Sequence, residues 1–402
     1  MGEEAGVRSV EEHLAAVLGL VRPLEVTESG LLDARGCASS ADVRATSPLP
    51  AFDNSAMDGY AVLVADVATA PVTLPVADDI PAGRQDVAAL RPGTVQRIMT
   101  GAPLPQGADG IVPVEWTDGG TEQVRIEQPP ERGQHVRRAG EDVAPGSVVL
   151  HAGDELTPAR LGLLASLGRG SVPVRRRPVV AVLSTGSELV EPGEPLAHGQ
   201  IYDSNSYLLA ACVDAAGGVG RRVPFVADDV PACESLLHEV AGWADLVLTS
   251  GGISAGAYEV VKLALTRTGT VEFVQVAMQP GKPQGYGTVD GTPVVTLPGN
   301  PVSSFVSFEV FVRPALRALM GHRRLDRPVH TGHLVEPLRS PAGRRRYLRG
   351  GYDAATGEVR LVGGAGSHLL GALAHADCLV VVPDDVTELP AGAELSVLLV
   401  DP

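Results

Sequence analysis

The stretch ADLVLTSGGISAGAYEVVKLAL, Ala244–Leu265, passes from an apolar run through a glycine-rich turn into residues with apolar positions at helical spacing. A short apolar run closed by glycine reads as a buried strand, so the stretch predicts a strand, a turn and a helix. Two further runs read the same way. RPVVAVLS (177–184) precedes a helix expected from about Ser204 through Ala216, and GTPVVTL (291–297) precedes one expected from about Val302. This alternation predicts a doubly wound parallel sheet.

Ligands of open α/β sheets sit at the carboxyl ends of the strands, which turns attention to the residues that follow each run. Ser184, Thr185, Gly186 and Glu188 follow the first; Ser250, Gly251, Gly252 and Ser254 follow the second. Gln279, Gly281, Lys282 and Pro283 follow VEFVQVA, and Pro298, Gly299, Asn300, Pro301 and Ser303 follow the last. Glycine lets the backbone approach a ligand closely, free N–H groups complement an oxyanion, and Lys282 adds a point charge. Together the four loops point to a phosphate or similar oxyanion. A nucleotide P-loop is excluded, since Gly281-Lys282 lacks the G-x-x-x-x-G-K-[ST] frame.

Gly252–Gly256 also fits the G-x-S-x-G nucleophile elbow of serine hydrolases. That reading is the weakest of those considered. No H-G-G-G-type donor precedes Ser254, and Gly251-Gly252 occupies the corner where the nucleophile should sit. Asp228 and Glu259 are candidate ligands for a hard cation such as Mg²⁺, which takes one or two carboxylates with substrate phosphates. Neighbouring Asp229 reads more simply as the cap of a helix beginning near Val230.

Outside this core, Ser9 and Glu12 stand at capping-box spacing ahead of an amphipathic helix over 9–20. Short β-like runs punctuated by Pro and Gly fill 47–136, a helical pattern returns near PARLGLLASLG, and the tail from about Arg327 is again β-like. The expected domains are a discontinuous N-terminal segment over 1–45 and 142–176, an inserted β-rich module over 46–141, a doubly wound domain over 177–326 and a C-terminal β domain over 327–402.

The net charge of -16, without a Lys/Arg block, argues against a nucleic-acid partner and requires any anionic ligand to be held by local groups in a shaped pocket. Four scattered cysteines, and a start with no basic-then-apolar segment, predict a reduced cytoplasmic protein with no membrane span. The ten histidines form no zinc-ligand spacing, and His330 and His333 read as surface residues.

Seven motifs taken in order are specific enough to carry a resemblance. They are PLPAFDNSAMDGYAV (48–62), RIMTGAPLPQGADGIVPVE (97–115), RRAGEDV (137–143), STGSEL, TSGGISAG, QPGKP and LPGNPVSS. Across nearly its whole length the chain resembles the molybdopterin molybdenumtransferases of the MoeA type, which include the E domain of gephyrin. The resemblance implies a C-terminal β-barrel, an elongated homodimer, and a cleft between the doubly wound domain of one subunit and the C-terminal domain of the other. It implies insertion of molybdenum from molybdate into adenylylated molybdopterin with Mg²⁺, releasing AMP, and transient contacts with cofactor-biosynthesis or acceptor proteins. By the same resemblance Asp58, Thr100 and Asp142 are functional positions. Glu188, Asp228 and Ser254 fall in the nucleotide and Mg²⁺ half, and Lys282, Pro283 and Ser303 on the molybdate side, with Arg345, Arg349 and Ser367 supplied by the tail. Glu259 stands where many members have Asp, and Gln279 where some have Lys. A molybdopterin adenylyltransferase, or a scaffold that binds molybdopterin without turnover, are the alternatives; the first would not require the β module and tail.

Overall fold

The computed structural model describes residues 7–226, 229–252 and 260–400, and the chain forms two compact units. The smaller comprises 41–151 and 157–171; the larger takes the rest. Helix α1 (Val10–Leu20) belongs to the larger unit, whereas the helix Pro158–Ser166 belongs to the smaller. The four-part division expected from the sequence remains a proposal beside this coarser one. At the start of α1 the expected box is present: the Glu12 amide donates to the Ser9 hydroxyl at 3.1 Å and the Ser9 amide to the Glu12 carboxylate at 2.8 Å.

The centre of the larger unit is a six-stranded sheet. Its strands are β1 (Val179–Thr185), β2 (Val219–Val226), β3 (Leu246–Ser250), β4 (Glu272–Gln275), β5 (Pro283–Val289) and β6 (Thr292–Leu297) in the order β2-β1-β3-β6-β5-β4. Alternate side chains of each strand face opposite sides. Val180, Val182, Leu246, Leu248, Val295 and Leu297 meet α1 and α2 (Asn205–Ala215) on one face. Ala181, Leu183, Val247 and Val294 meet α3 (Val230–Ala241) and α4 (Val260–Thr268) on the other. Both faces are therefore dry, which is why the strands read as continuous apolar runs. Asp229 caps α3, its carboxylate accepting from the Ala232 amide at 3.3 Å.

One strand departs from the expected all-parallel sheet: β5 runs antiparallel to both neighbours. The cause is the Asp290-Gly291 turn joining β5 to β6. Both residues have positive φ, 51° and 84°, the pairing that closes a two-residue hairpin and reverses the chain.

After α5 (Pro301–Ser307) and its continuation to Leu319, the tail closes into a β-barrel. Strands Arg345–Tyr352, Glu358–Leu361, Val329–Leu334, Glu394–Leu399 and Cys378–Val382 pair in that order, and the last pairs back to the first. Met278–Gln279 extends the barrel by pairing parallel with Arg345–Arg346. In the smaller unit the main sheet has five strands, with Gly59–Val62 between Gly110–Pro113 and Val95–Ile98. No helix among the described residues is long and apolar enough to cross a membrane.

Candidate functional site

The strand-end loops of the doubly wound sheet open onto a cleft of about 900 Å³. Every described lining residue lies in the larger unit. Ser184, Thr185 and Glu188 line it beyond β1, Ser250, Gly251 and Gly252 beyond β3, Gln279, Gly281, Lys282 and Pro283 before β5, and Pro298, Gly299, Asn300, Pro301 and Ser303 beyond β6. Gly186 belongs to the first of these loops but does not line the cleft. The four loops thus converge as their positions in the sequence suggested.

Loop-to-loop hydrogen bonds account for the convergence. Asn205, at the start of α2, donates from Nδ2 to the Ser250 hydroxyl at 2.8 Å and to the Gly299 carbonyl at 2.6 Å. The Gly251 amide reaches the Leu297 carbonyl at 3.1 Å. Gln284, buried at the start of β5, donates to the Gly281 carbonyl at 2.6 Å and to Ser307 at 2.7 Å. Gly281 has φ 102°, and a Cβ there would stand 2.8 Å from the Ser307 oxygen. Only glycine lets this turn close against the helix behind it.

Several polar atoms at the floor are buried with no protein partner among the described residues: Ser184 Oγ, Thr185 Oγ1, Asn205 Oδ1 and Gln279 Oε1. A buried polar atom without a partner is destabilising unless a ligand or water satisfies it, so this floor is suited to a polar ligand. Lys282 and Arg344 are the exposed Lys/Arg cations of the lining, and neither has a hydrogen bond or ion pair from its side chain among the described residues. Glu188 and Asp203 are the acids among the described lining residues. Asp203 is engaged by the Ser206 amide at 3.1 Å and hydroxyl at 2.5 Å.

The tail of the same chain lines the cleft. Ser367 accepts from Asn300 Nδ2 at 2.8 Å, and its carbonyl accepts from the Val302 amide at 3.0 Å. Arg344, Ala365, His368 and Leu370 complete that side. Pairing of Met278–Gln279 with Arg345–Arg346 staples barrel to sheet and fixes this arrangement. The other two tail candidates are engaged locally. Arg345 pairs with Glu11 at 2.6 Å, and Arg349, 5 % exposed, donates to the carbonyls of Gly364 and Gly366. Burial holds the Arg349 pKa below its ordinary value.

Asp58, Thr100 and Asp142 lie in the smaller unit. Asp58 and Thr100 meet: one Asp58 oxygen accepts from the Thr100 amide at 2.6 Å and hydroxyl at 2.8 Å, which holds its carboxyl below the usual carboxylate range. Asp142 is exposed, its amide bonded to the Leu49 carbonyl. Asp228, Ser254 and Glu259 lie outside the described residues. Among the described residues no three His, Cys, Asp or Glu side chains gather as a metal site. Asn205 and Arg344 escaped the sequence reading. Asn205 had a usable signal in Asp203-Ser204-Asn205-Ser206, a polar run opening a helix, whereas Arg344 is one arginine of three in a row.

Comparison with known proteins covers the whole architecture. Residues 8–168 match the MoeA N-terminal region (domain I and II), 181–318 a probable molybdopterin binding domain, and 331–400 the MoeA C-terminal region (domain IV). The chain is 52% identical to molybdopterin molybdenumtransferase 2 of Mycobacterium tuberculosis over 97% of its own length and 99% of that protein. It is 36% identical to the molybdopterin molybdenumtransferase of Haemophilus influenzae over 93% and 94%. The crystal structure of the molybdopterin biosynthesis moeA protein from Pyrococcus horikoshii superposes with a TM-score of 0.85 at 27% identity, covering 98% of this chain and 100% of that one.

Proposed function

Because this chain belongs to the MoeA family, the molybdopterin molybdenumtransferases of molybdenum cofactor biosynthesis, we propose that its cleft takes adenylylated molybdopterin and molybdate and, with Mg²⁺, releases AMP as molybdenum joins the dithiolene. The observation that carries this is the convergence of four strand-end loops on one floor, with buried polar atoms and an exposed Lys282 that have no partner among the described residues.

In this reading Lys282, Gly281, Pro283 and Ser303 receive the molybdate, Gln279 holding the edge with a neutral amide. Ser184, Thr185, Ser250, Gly251 and Gly252 receive the phosphates. The tail's Ser367 is held beside them by Asn300. Arg349 acts by shaping the 364–366 loop and Arg345 by anchoring its strand to Glu11. Asp58, Thr100 and Asp142 are kept as functional positions on the strength of their motifs.

Mg²⁺ fits the donors present. It is a hard cation that takes few carboxylates and completes its shell with phosphate oxygens and water. The described cleft supplies one exposed carboxylate, Glu188, without a cation partner. Asp228 and Glu259 are the proposed additional ligands and Ser254 their hydrogen-bonding neighbour. Bound there, the ion would supply positive charge to the departing phosphate. The reading includes a homodimer in the cytoplasm, in passing contact with cofactor-biosynthesis and acceptor proteins; all four cysteines are free, as a reducing compartment leaves them.

The test is direct. Purified protein given adenylylated molybdopterin, Mg²⁺ and molybdate should release AMP. Absence of AMP while the ligand binds would leave a binding scaffold and remove the transferase reading.

A further inference from the structure

Joining molybdenum to a dithiolene is a proton problem as well as an anion problem. Molybdate and a dithiol give a trioxo dithiolene and one water, so two S–H bonds and one Mo–O bond break while two Mo–S and two O–H bonds form. Molybdenum is neither oxidised nor reduced. Both thiol protons must reach the departing oxygen, which leaves as water only once it has received them, and a positioned side chain that moves a proton in such a step accelerates it. Lys282 and the glycine turns hold negative charge, and Glu188 is placed with Mg²⁺. Neither moves a proton.

His368 is the only histidine among the described residues that line the cleft. Imidazole both takes and gives a proton near neutrality, whereas carboxylate, phenol, ammonium and guanidinium groups ordinarily keep one state there. The His368 side chain is exposed and has no hydrogen bond or ion pair among the described residues, so its nitrogens are open to a ligand. The backbone that carries it is fixed. Arg349 donates to the carbonyls of Gly364 and Gly366, the Val302 amide to that of Ser367 at 3.0 Å, and the Leu370 amide to that of His368 at 2.9 Å. Asn300, in the loop beyond β6, donates to the Ser367 hydroxyl at 2.8 Å. His368 thus follows directly on the residue through which the tail touches an oxyanion loop. Gly366 leaves room for the ring: a Cβ there would stand 3.0 Å from His368 Cε1 and 3.3 Å from Nδ1. One edge of the imidazole therefore lies against a backbone that a side chain would crowd.

We propose that His368 is a catalytic residue of this cleft, relaying protons from the dithiol to the molybdate oxygen that leaves as water. The inference rests on the substrate reading above and deepens it by giving the molybdenum step its proton carrier. Neutral imidazole takes a thiol proton as that sulfur bonds molybdenum, and the imidazolium so formed gives the proton to the oxygen as its bond to molybdenum breaks. One such cycle serves each thiol and returns the ring to neutral. The charged groups that share the described lining with it are Glu188, Asp203, Lys282 and Arg344.

The test compares the full chain with His368→Gln, which keeps a hydrogen-bonding side chain but cannot cycle a proton, and with His368→Ala. The side chain is exposed, so both variants should keep the parent's melting temperature, which is measured alongside. Molybdenum incorporation into adenylylated molybdopterin should fall by about a hundredfold or more in each. Molybdate and AMP binding, read without turnover, should change by less than about threefold. Imidazole added to the solution should return part of the rate to His368→Ala. A parental rate in His368→Gln overturns the proposal, as does a loss of molybdate affinity as large as the loss of rate, which would make His368 a binding group. The two readings fail differently: a parent chain that incorporates no molybdenum sinks the substrate reading itself, whereas an active parent beside an equally active His368→Gln sinks the relay alone.

Discussion

Lys282 and Arg349 illustrate how differently two cations of one site can act. Lys282 is exposed, and its side chain has no partner among the described residues, so its removal breaks nothing in the fold. Lys282→Ala should weaken molybdate binding by about ten- to a hundredfold, the worth of a hydrogen bond to a charged group, with the melting temperature nearly unchanged. Arg349 is buried on the carbonyls of Gly364 and Gly366, and Arg349→Ala removes both bonds, leaving the Gly366 carbonyl only the Leu369 amide at 3.4 Å and an Arg-sized void behind them. Denaturant unfolding of that variant should show a loss of about 2–4 kcal/mol. If both variants kept full stability, the structural role assigned to Arg349 would be wrong. Gly281→Ala belongs with them: positive φ and a Cβ crowding Ser307 and the Met278 methyl should lower stability by about 1–3 kcal/mol and weaken molybdate binding together.

At the scale of an element, α1 carries a pH-dependent feature. His13 is fully buried, its ring edge-to-face with Phe311 at 4.6 Å and Tyr286 at 5.4 Å, and neither nitrogen has a partner among the described residues. Burial, helped by the charge of Arg8, lowers its pKa from 6.5 to about 4. The unfolded chain therefore takes this proton first. Stability should be level above about pH 7, fall as pH drops from about 6.5 to about 4, and level again below, by an amount on the order of 3 kcal/mol for this residue. His322, lowered to about 4 mainly by burial, adds a second term in the same window. Unfolding free energies of His13→Phe measured across this range should show a shallower slope than the parent; an identical slope would show that His13 does not carry the effect. Elements are also where sequence reading met its limit. The Ser9 cap, the Asp229 cap and the three strand–turn–helix units are local patterns and were legible. The Asp290-Gly291 reversal was local too, but reading each apolar run as one more parallel strand passed over its turn chemistry.

At the scale of the whole molecule, the question is which chain completes the cleft. Ser367 and Lys282 line one cleft in the same chain, joined through the pairing of 278–279 with 345–346. Mixing a Lys282→Ala chain with a Ser367→Ala chain, under conditions that allow the proposed dimer to exchange, should restore no molybdate-dependent AMP release. Every mixed cleft then carries one lesion. Recovery toward about a quarter of the parent activity in an equal mixture, one intact cleft in each mixed dimer, would place the tail in the partner's cleft instead.

Period, caps, glycine turns and ordered motifs belong to neighbouring residues, so the sequence alone determined the doubly wound core, the family, and which four loops would meet. It also determined that an acidic chain must hold its anion with local groups. Contacts between residues far apart in the chain were decided only by the tertiary structure. Asn205 tying Ser250 to Gly299, Ser367 of the tail meeting Asn300, and Arg349 turning onto the carbonyls of Gly364 and Gly366 all depend on which hydrogen-bonding groups packing brings within about 3 Å. No periodicity records that distance, because it is set by the packing of sheet against barrel and not by any residue's neighbours in sequence.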